Sequence, residues 1–151
     1  MQRDSIYKSN IRYIVVFVLL VIYESISSIY PYLTPLFGVA FYYILSNINK
    51  RDNLFIVFLS FLYLLIFEVD KGFIPFSFMI FFIFYYFFIY DRVEHFFVEK
   101  NYKIFFHVFI GYVGYYIVNV VLKYLFNQDI SVFDYKYFLY IVTDFLILVV
   151  L

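Results

Sequence analysis

The chain has 151 residues, 66% of them hydrophobic and 28% aromatic, with eleven basic and eleven acidic side chains and no net charge. That apolar fraction lies far above the roughly 45–50% of a soluble domain, and the balanced charge excludes a broad basic face for nucleic acid. The absence of cysteine removes disulfides, thiolate metal sites and cysteine nucleophiles from consideration.

Phe, Tyr, Ile, Asn and Lys are abundant and Trp is absent. This is the mark of an A+T-rich coding sequence, so the Phe content reads as mutational bias rather than aromatic chemistry. Tyr near segment ends is expected to take the interfacial role that Trp shares elsewhere. Charge-free apolar runs recur from Ile11 to Leu151 with short polar connections between them. A bilayer core of roughly 30 Å needs about 20 apolar helical residues per crossing. The expectation is an all-α integral membrane protein, a single domain over 1–151. It would form a compact bundle of six transmembrane helices at about 11–30, 32–46, 54–69, 73–90, 104–126 and 133–151.

The first segment follows a basic start, Arg3, Lys8 and Arg12. Ser25 and Ser27 imitate a signal-peptidase site, but the run is long, Glu24 precedes the pair and the rest is also apolar, so an uncleaved span is expected. In the second, Thr34 is a natural N-cap and Pro35 a natural first helical residue. Counted from Tyr32 this helix is about 24 Å long, and a re-entrant hairpin is the rival reading. Leu54 to Val69 form the third segment and Phe73 to Tyr90 the fourth, which opens near Pro75. An amphipathic connection with Asp91, Arg92, Glu94, His95, Glu99, Lys100 and Lys103 leads to the fifth, Ile104 to Phe126; the sixth runs from Phe133 to Leu151. Alternating crossings put eight Lys and Arg on one side and three (Lys71, Lys123, Lys136) on the other. The positive-inside rule then places both termini in the cytoplasm and argues for a crossing second segment.

Ionisable groups at membrane depth need partners or water. Glu24 lies roughly 9 Å below the outer end of its segment, with Ser27 and Ser28 at helical spacing. The fifth segment carries His107, Gly111, Tyr115, Asn119 and Lys123 at steps of four, a seam drifting about 40° per step, and Gly111 and Gly114 admit a close neighbour. Asp144 sits near the middle of the sixth. Glu24 is expected to meet Lys123, and Asp144 to face Asn119 or His107. The plainest role of this intramembrane polar network is to lock helices through hydrogen bonds; a proton relay or a ligand contact is the sharper alternative. An enzyme is not expected. Asp70 and Asp144 are the only plausible Asp pair for an aspartyl protease, and they lie at different depths. Asp91-Arg92 matches only a fragment of the lipoprotein signal peptidase pattern. No zinc-type His pair and no Gly-rich phosphate loop are present, and no cofactor or metal is expected.

The stretch Phe67-Glu68-Val69-Asp70-Lys71-Gly72-Phe73-Ile74-Pro75-Phe76-Ser77 resembles the turn between the third and fourth helices of the rod shape-determining protein MreD family. Asp70 matches that family's acidic position, Gly72 its turn and Pro75 its proline. The Asp-to-Pro spacing is about one residue short, and Ser77 stands where the family has Gly. Length, a short second helix near a Pro, a basic turn after it and both ends inside extend the resemblance as a pattern. It implies a non-enzymatic scaffold of the bacterial inner membrane, in the cell-wall elongation machinery that determines cell shape. Its partners would be membrane lipids, an MreC-like periplasmic protein and other elongation-complex proteins, with no nucleic acid and no small-molecule substrate. Two rival readings remain. One is the substrate-binding component of an energy-coupling-factor vitamin transporter, with Glu24, Asn119 and Lys123 lining a pocket. The other is an unclassified small polytopic membrane subunit.

Overall fold

The computed structural model describes the backbone of residues 2–30, 32–50, 53–129 and 134–151 and, within these, side chains from residue 11 onward. Helix α1 covers Gln2–Ile29, α2 Phe37–Asn47 and α3 Leu54–Asp70. Helix α4 (Ser77–Tyr85) continues through a π-helical turn at Tyr86–Tyr90 into α5 (Asp91–Phe96), followed by α6 (Lys100–Leu125) and α7 (Lys136–Val150). No strand occurs among the described residues. The side chains of Arg3, Lys8 and Arg51, counted in the charge bias, and Phe133, the expected start of the last span, lie outside the described residues.

Contacts identify the two ends of the bundle. At one, the Tyr23 hydroxyl donates to the Thr34 carbonyl at 2.9 Å, and the Ile74 amide donates to Asn119 Oδ1 at 3.4 Å. At the other, the Tyr86 hydroxyl donates to Asn49 Oδ1 at 3.0 Å and Lys103 meets Glu94 at 2.6 Å. Successive rods are therefore antiparallel, as short connections require. The short α2 lies centrally against α3, α6 and α7, while α1 packs on α3 and α4 on α6.

The core is aromatic. The Phe37 ring touches those of Phe41, Phe67, Phe78, Tyr112 and Tyr115, with centroids 4.9–6.2 Å apart, the range where aromatic pairs gain beyond area burial. Gly111 and Gly114 make room for rings rather than for a neighbouring backbone. A Cβ at Gly111 would lie 2.8 Å from the Phe41 ring, and one at Gly114 would lie 2.7 Å from that of Phe81.

Helix α2 starts later than expected. Thr34 does not cap it and Pro35 is not its first residue: Leu36 takes a left-handed conformation (φ 49°) and the helix begins at Phe37. The chain enters the bundle non-helically, its carbonyls outside the helix taken up by hydroxyls: Tyr23 on Thr34 and Tyr63 on Pro35. At 11 residues, α2 is about 16 Å long. Helix α4 repeats the pattern: Pro75 is followed by left-handed Phe76 (φ 67°) and the helix begins at Ser77. The connection expected after residue 90 is instead helical as far as Phe96, in line with α4.

Two helix ends share one chemistry. After α3, the Phe73 amide donates to the Glu68 carbonyl at 2.8 Å and the Gly72 amide to that of Val69 at 3.2 Å, a Schellman closure with Gly72 left-handed (φ 66°). After α6, Asn127 (φ 52°) takes the glycine's place, with Gln128 bonded back to Lys123 and Asn127 to Tyr124.

Two helices are long and apolar enough to cross a membrane, Ile11–Ile29 within α1 and Lys100–Leu125. Helices α2, α3 and α7 have 11, 17 and 15 residues. The outward faces are apolar across several helices, among them Val15, Leu19 and Ile22 on α1, Ile80, Ile83 and Phe84 on α4, and Leu139 and Leu146 on α7.

Candidate functional site

Three carboxylates, Glu24, Glu68 and Asp144, are fully buried. A charge in a dry interior is tolerable only when donors surround it, and two of the three find those donors at helix starts. Neither α2 nor α4 has a side-chain cap from its own N-cap residue, which leaves orphan amides.

Glu68, near the end of α3, closes the start of α4. Its Oε2 accepts from the Phe76 amide at 2.8 Å, and its Oε1 from the Phe78 amide at 2.5 Å, the Ser77 hydroxyl at 2.7 Å and the Tyr115 hydroxyl at 3.0 Å. The positive end of the α4 dipole adds to this attraction. Asn119 extends the group: its Oδ1 lies 3.3 Å from Ser77 Oγ and accepts from the Ile74 amide, while its Nδ2 donates to the Tyr115 carbonyl.

Asp144 does the same for α2 from across the bundle. Its Oδ2 accepts from the Gly38 amide at 2.7 Å and from the Tyr112 hydroxyl at 2.8 Å. The approach requires glycine, since a Cβ on residue 38 would sit 2.9 Å from that oxygen. Asp144 therefore meets neither Asn119 nor His107, as the sequence reading had it; deep placement of the α2 start offers it an uncapped amide instead.

Glu24 is held by Tyr63, whose hydroxyl lies 2.8 Å from Oε2 and also contacts the Pro35 carbonyl. Its cation is Lys71, 3.6 Å from Oε1, and Lys71 also reaches Ser27 Oγ at 3.4 Å. The expected Glu24–Lys123 pair is not formed. Lys123 stands 5.8 Å over the Phe73 ring, a cation–π contact, because the turn after α3 sets Lys71 beside α1 while Lys123 faces Phe73. Ser27 is buried with Glu24, but Ser28 is exposed and bonds locally to the Ser25 carbonyl.

The seam of α6 is buried throughout: His107, Gly111, Tyr115, Asn119 and Lys123 all face inward. Its members serve separate groups. His107 lies at the opposite end from Asn119 and Lys123, with Nδ1 2.5 Å from the Tyr85 hydroxyl and Nε2 3.3 Å from Glu94 Oε1. Burial alone would raise the Glu94 carboxyl, but Lys103 and His107 outweigh it and hold the group below its ordinary value.

In the turn after α3, Gly72 and Pro75 act as breakers while Asp70 is exposed. The acid that binds the next helix is Glu68, two residues earlier. Glu68, Tyr63 and Tyr112 were not singled out from sequence, and Lys71 and Ser77 were read only as a loop charge and as a departure from the family pattern. A signal existed for one pair: an acid seven residues before a Pro-Phe-Ser stretch has the reach of a tertiary cap.

Between the ends of α1 and α3 and the start of α7, a cavity of about 270 Å³ opens among Ser27, Lys71, Phe73, Asp134, Lys136 and Tyr140. Comparison with protein-family models, curated proteins and solved structures gives no match to this chain.

Proposed function

We propose that the chain is a multi-pass protein of a bacterial inner membrane, crossing six times with both termini in the cytoplasm, and that it serves as a non-enzymatic scaffold of the cell-wall elongation machinery, binding an MreC-like partner. The observation that carries this reading is the inside-out distribution of side chains: buried carboxylates within, and contiguous isoleucine, leucine, valine and phenylalanine faces without. Soluble monomers rarely expose contiguous apolar patches above a few hundred Å², whereas lipid or a partner helix covers such faces. Glu68 and Asp144 hold helix starts in place, which suits a rigid docking body. The turn carrying Gly72 and Pro75 supports the family assignment.

The transporter reading is less favoured. Glu24, Asn119 and Lys123, the residues that would line its pocket, engage Tyr63 with Lys71, the α4 start and Phe73 respectively. Depletion in the native cell, combined with co-purification, tests the proposal. Rounded cells, sensitivity to inhibitors of wall elongation and capture of an MreC-like protein are expected. Normal shape with lost uptake of a vitamin-sized solute would replace the scaffold by the transporter reading.

A further inference from the structure

The cavity between the ends of α1 and α3 and the start of α7 holds charges of both signs that are loosely matched to one another. Lys71 lies 3.6 Å from Glu24 and 3.4 Å from Ser27 Oγ, and Lys136 lies 3.4 Å from Asp134. Charge-assisted bonds close to about 2.7–2.9 Å when geometry allows, so neither ammonium has its best partner. Glu24 Oε1 is buried without a hydrogen bond. The Asp134 side chain is 41% exposed and can turn toward a second cation. Phe67, Phe73 and Tyr140 supply an apolar wall. The volume, about 270 Å³, lies just under the ligand range of about 300–1,000 Å³, so only a small ligand fits.

We propose that this cavity binds a primary-amine zwitterion, an ammonium and a phosphate on one short carbon frame, as an ethanolamine phospholipid headgroup or a free amino-phosphate presents them. The phosphate oxygens, two in a diester headgroup and three in a free monoester, accept from Lys71 and Lys136, with the Ser27 hydroxyl beside Lys71 as a further donor. The ligand ammonium donates to Asp134, taking the place of Lys136 there. A lone anion fits less well, because each lysine has a carboxylate beside it, Glu24 at Lys71 and Asp134 at Lys136; a lone cation fits less well, because the lysines face it. The amine must be primary, since a trimethylated nitrogen has no N–H to give Asp134.

The test uses the full-length protein in two arms. In nanodiscs containing equal phosphatidylethanolamine and phosphatidylcholine, native mass spectrometry reads which lipid stays bound. In detergent, calorimetry compares O-phosphoethanolamine with phosphocholine. At least tenfold preference for the primary amine is expected in one arm; the lipid arm alone responding identifies a headgroup, and the soluble arm responding identifies a free small molecule. Asp134→Asn and Lys71→Gln should each reduce binding at least fivefold, with helicity and monodispersity unchanged. If Lys71→Gln does not fold, Asp134→Asn, on a half-exposed side chain, carries the test alone. Equal binding of amine and trimethylammonium probes in both arms, or an Asp134→Asn protein that binds like the parent, overturns the proposal.

Discussion

A carboxylate sealed from solvent has to be met by donors, and Glu68 meets four: two amides and two hydroxyls. Interhelical hydrogen bonds in membranes average only about 0.6 kcal/mol each, but Glu68→Ala removes the shared acceptor of all four donors and leaves the Phe76 and Phe78 amides unmet, while the Ser77 hydroxyl keeps Asn119. A loss of about 2–3 kcal/mol is expected, read as a lower unfolding midpoint in detergent. Asp70→Ala, at the exposed position two residues on, is expected to stay within about 0.5 kcal/mol. Equal effects would show that Glu68 does not hold α4. Gly38→Ala is a sharper steric case. Its methyl would meet Asp144 and Val108, each at 2.9 Å, and overpacking of this kind costs about 1–3 kcal/mol. The same measurement decides it.

At the scale of elements, what the sequence made legible was periodicity and what it hid was depth. The apolar run of α3 reads correctly to within a residue because only Ser60 breaks it between Leu54 and Phe67. The start of α2 does not, because Thr34-Pro35 is a good local helix start that tertiary contacts override. Tyr63 claims the Pro35 carbonyl and Asp144 the Gly38 amide, and no local rule encodes partners on α3 and α7. The polar seam of α6 was legible for the same reason as α3, since a stripe at steps of four is a property of one helix. Its partners were not, and Glu24 was matched to the wrong lysine on that account. Helix α5 offers a pH test. Glu94 is held below its ordinary value by Lys103 and His107, so its contact with α6 contributes above the ordinary glutamate value of about 4.3 and is lost as pH falls through the lower folded value. Its carboxyl is about one-third exposed, so the contribution is at most about 1 kcal/mol after screening. Amide exchange in α5 is expected to accelerate on acidification through that window, and Glu94→Gln to show the faster exchange already at neutral pH. Exchange indifferent to both changes would place the docking of α5 elsewhere.

The whole molecule carries the topology prediction. Single cysteines introduced at Asn49 and Asn101 should be shielded from an impermeant thiol reagent in intact cells, and one at Gln128 should label. All three positions are exposed on the protein, so only the membrane can shield them. Labelling at Asn49 would mean that the short α2 does not carry the chain across. Composition made the helical class legible at once, since 66% apolar residues leave little for a soluble surface. The interior was less legible because carboxylates look like surface residues until their donors are known. Glu68 reads as the polar end of α3 and proves to be fully buried.

The π-helical turn at Tyr86–Tyr90 has a consequence for chain length. Such a turn accommodates one residue more than an α-helix does over the same rise, so the rod from Ser77 to Phe96 contains a surplus residue whose excess is absorbed locally. Phe88, exposed and inside the turn, is the natural residue to remove. Its deletion should let the segment rewind as ordinary α-helix while Glu94 still reaches Lys103 and His107. A one-residue deletion elsewhere, for example at Phe58 on the exposed side of α3, rotates all that follows by about 100° and should abolish folding. Among the described residues, this turn is thus where the reading of the helix can lose a residue without losing its place.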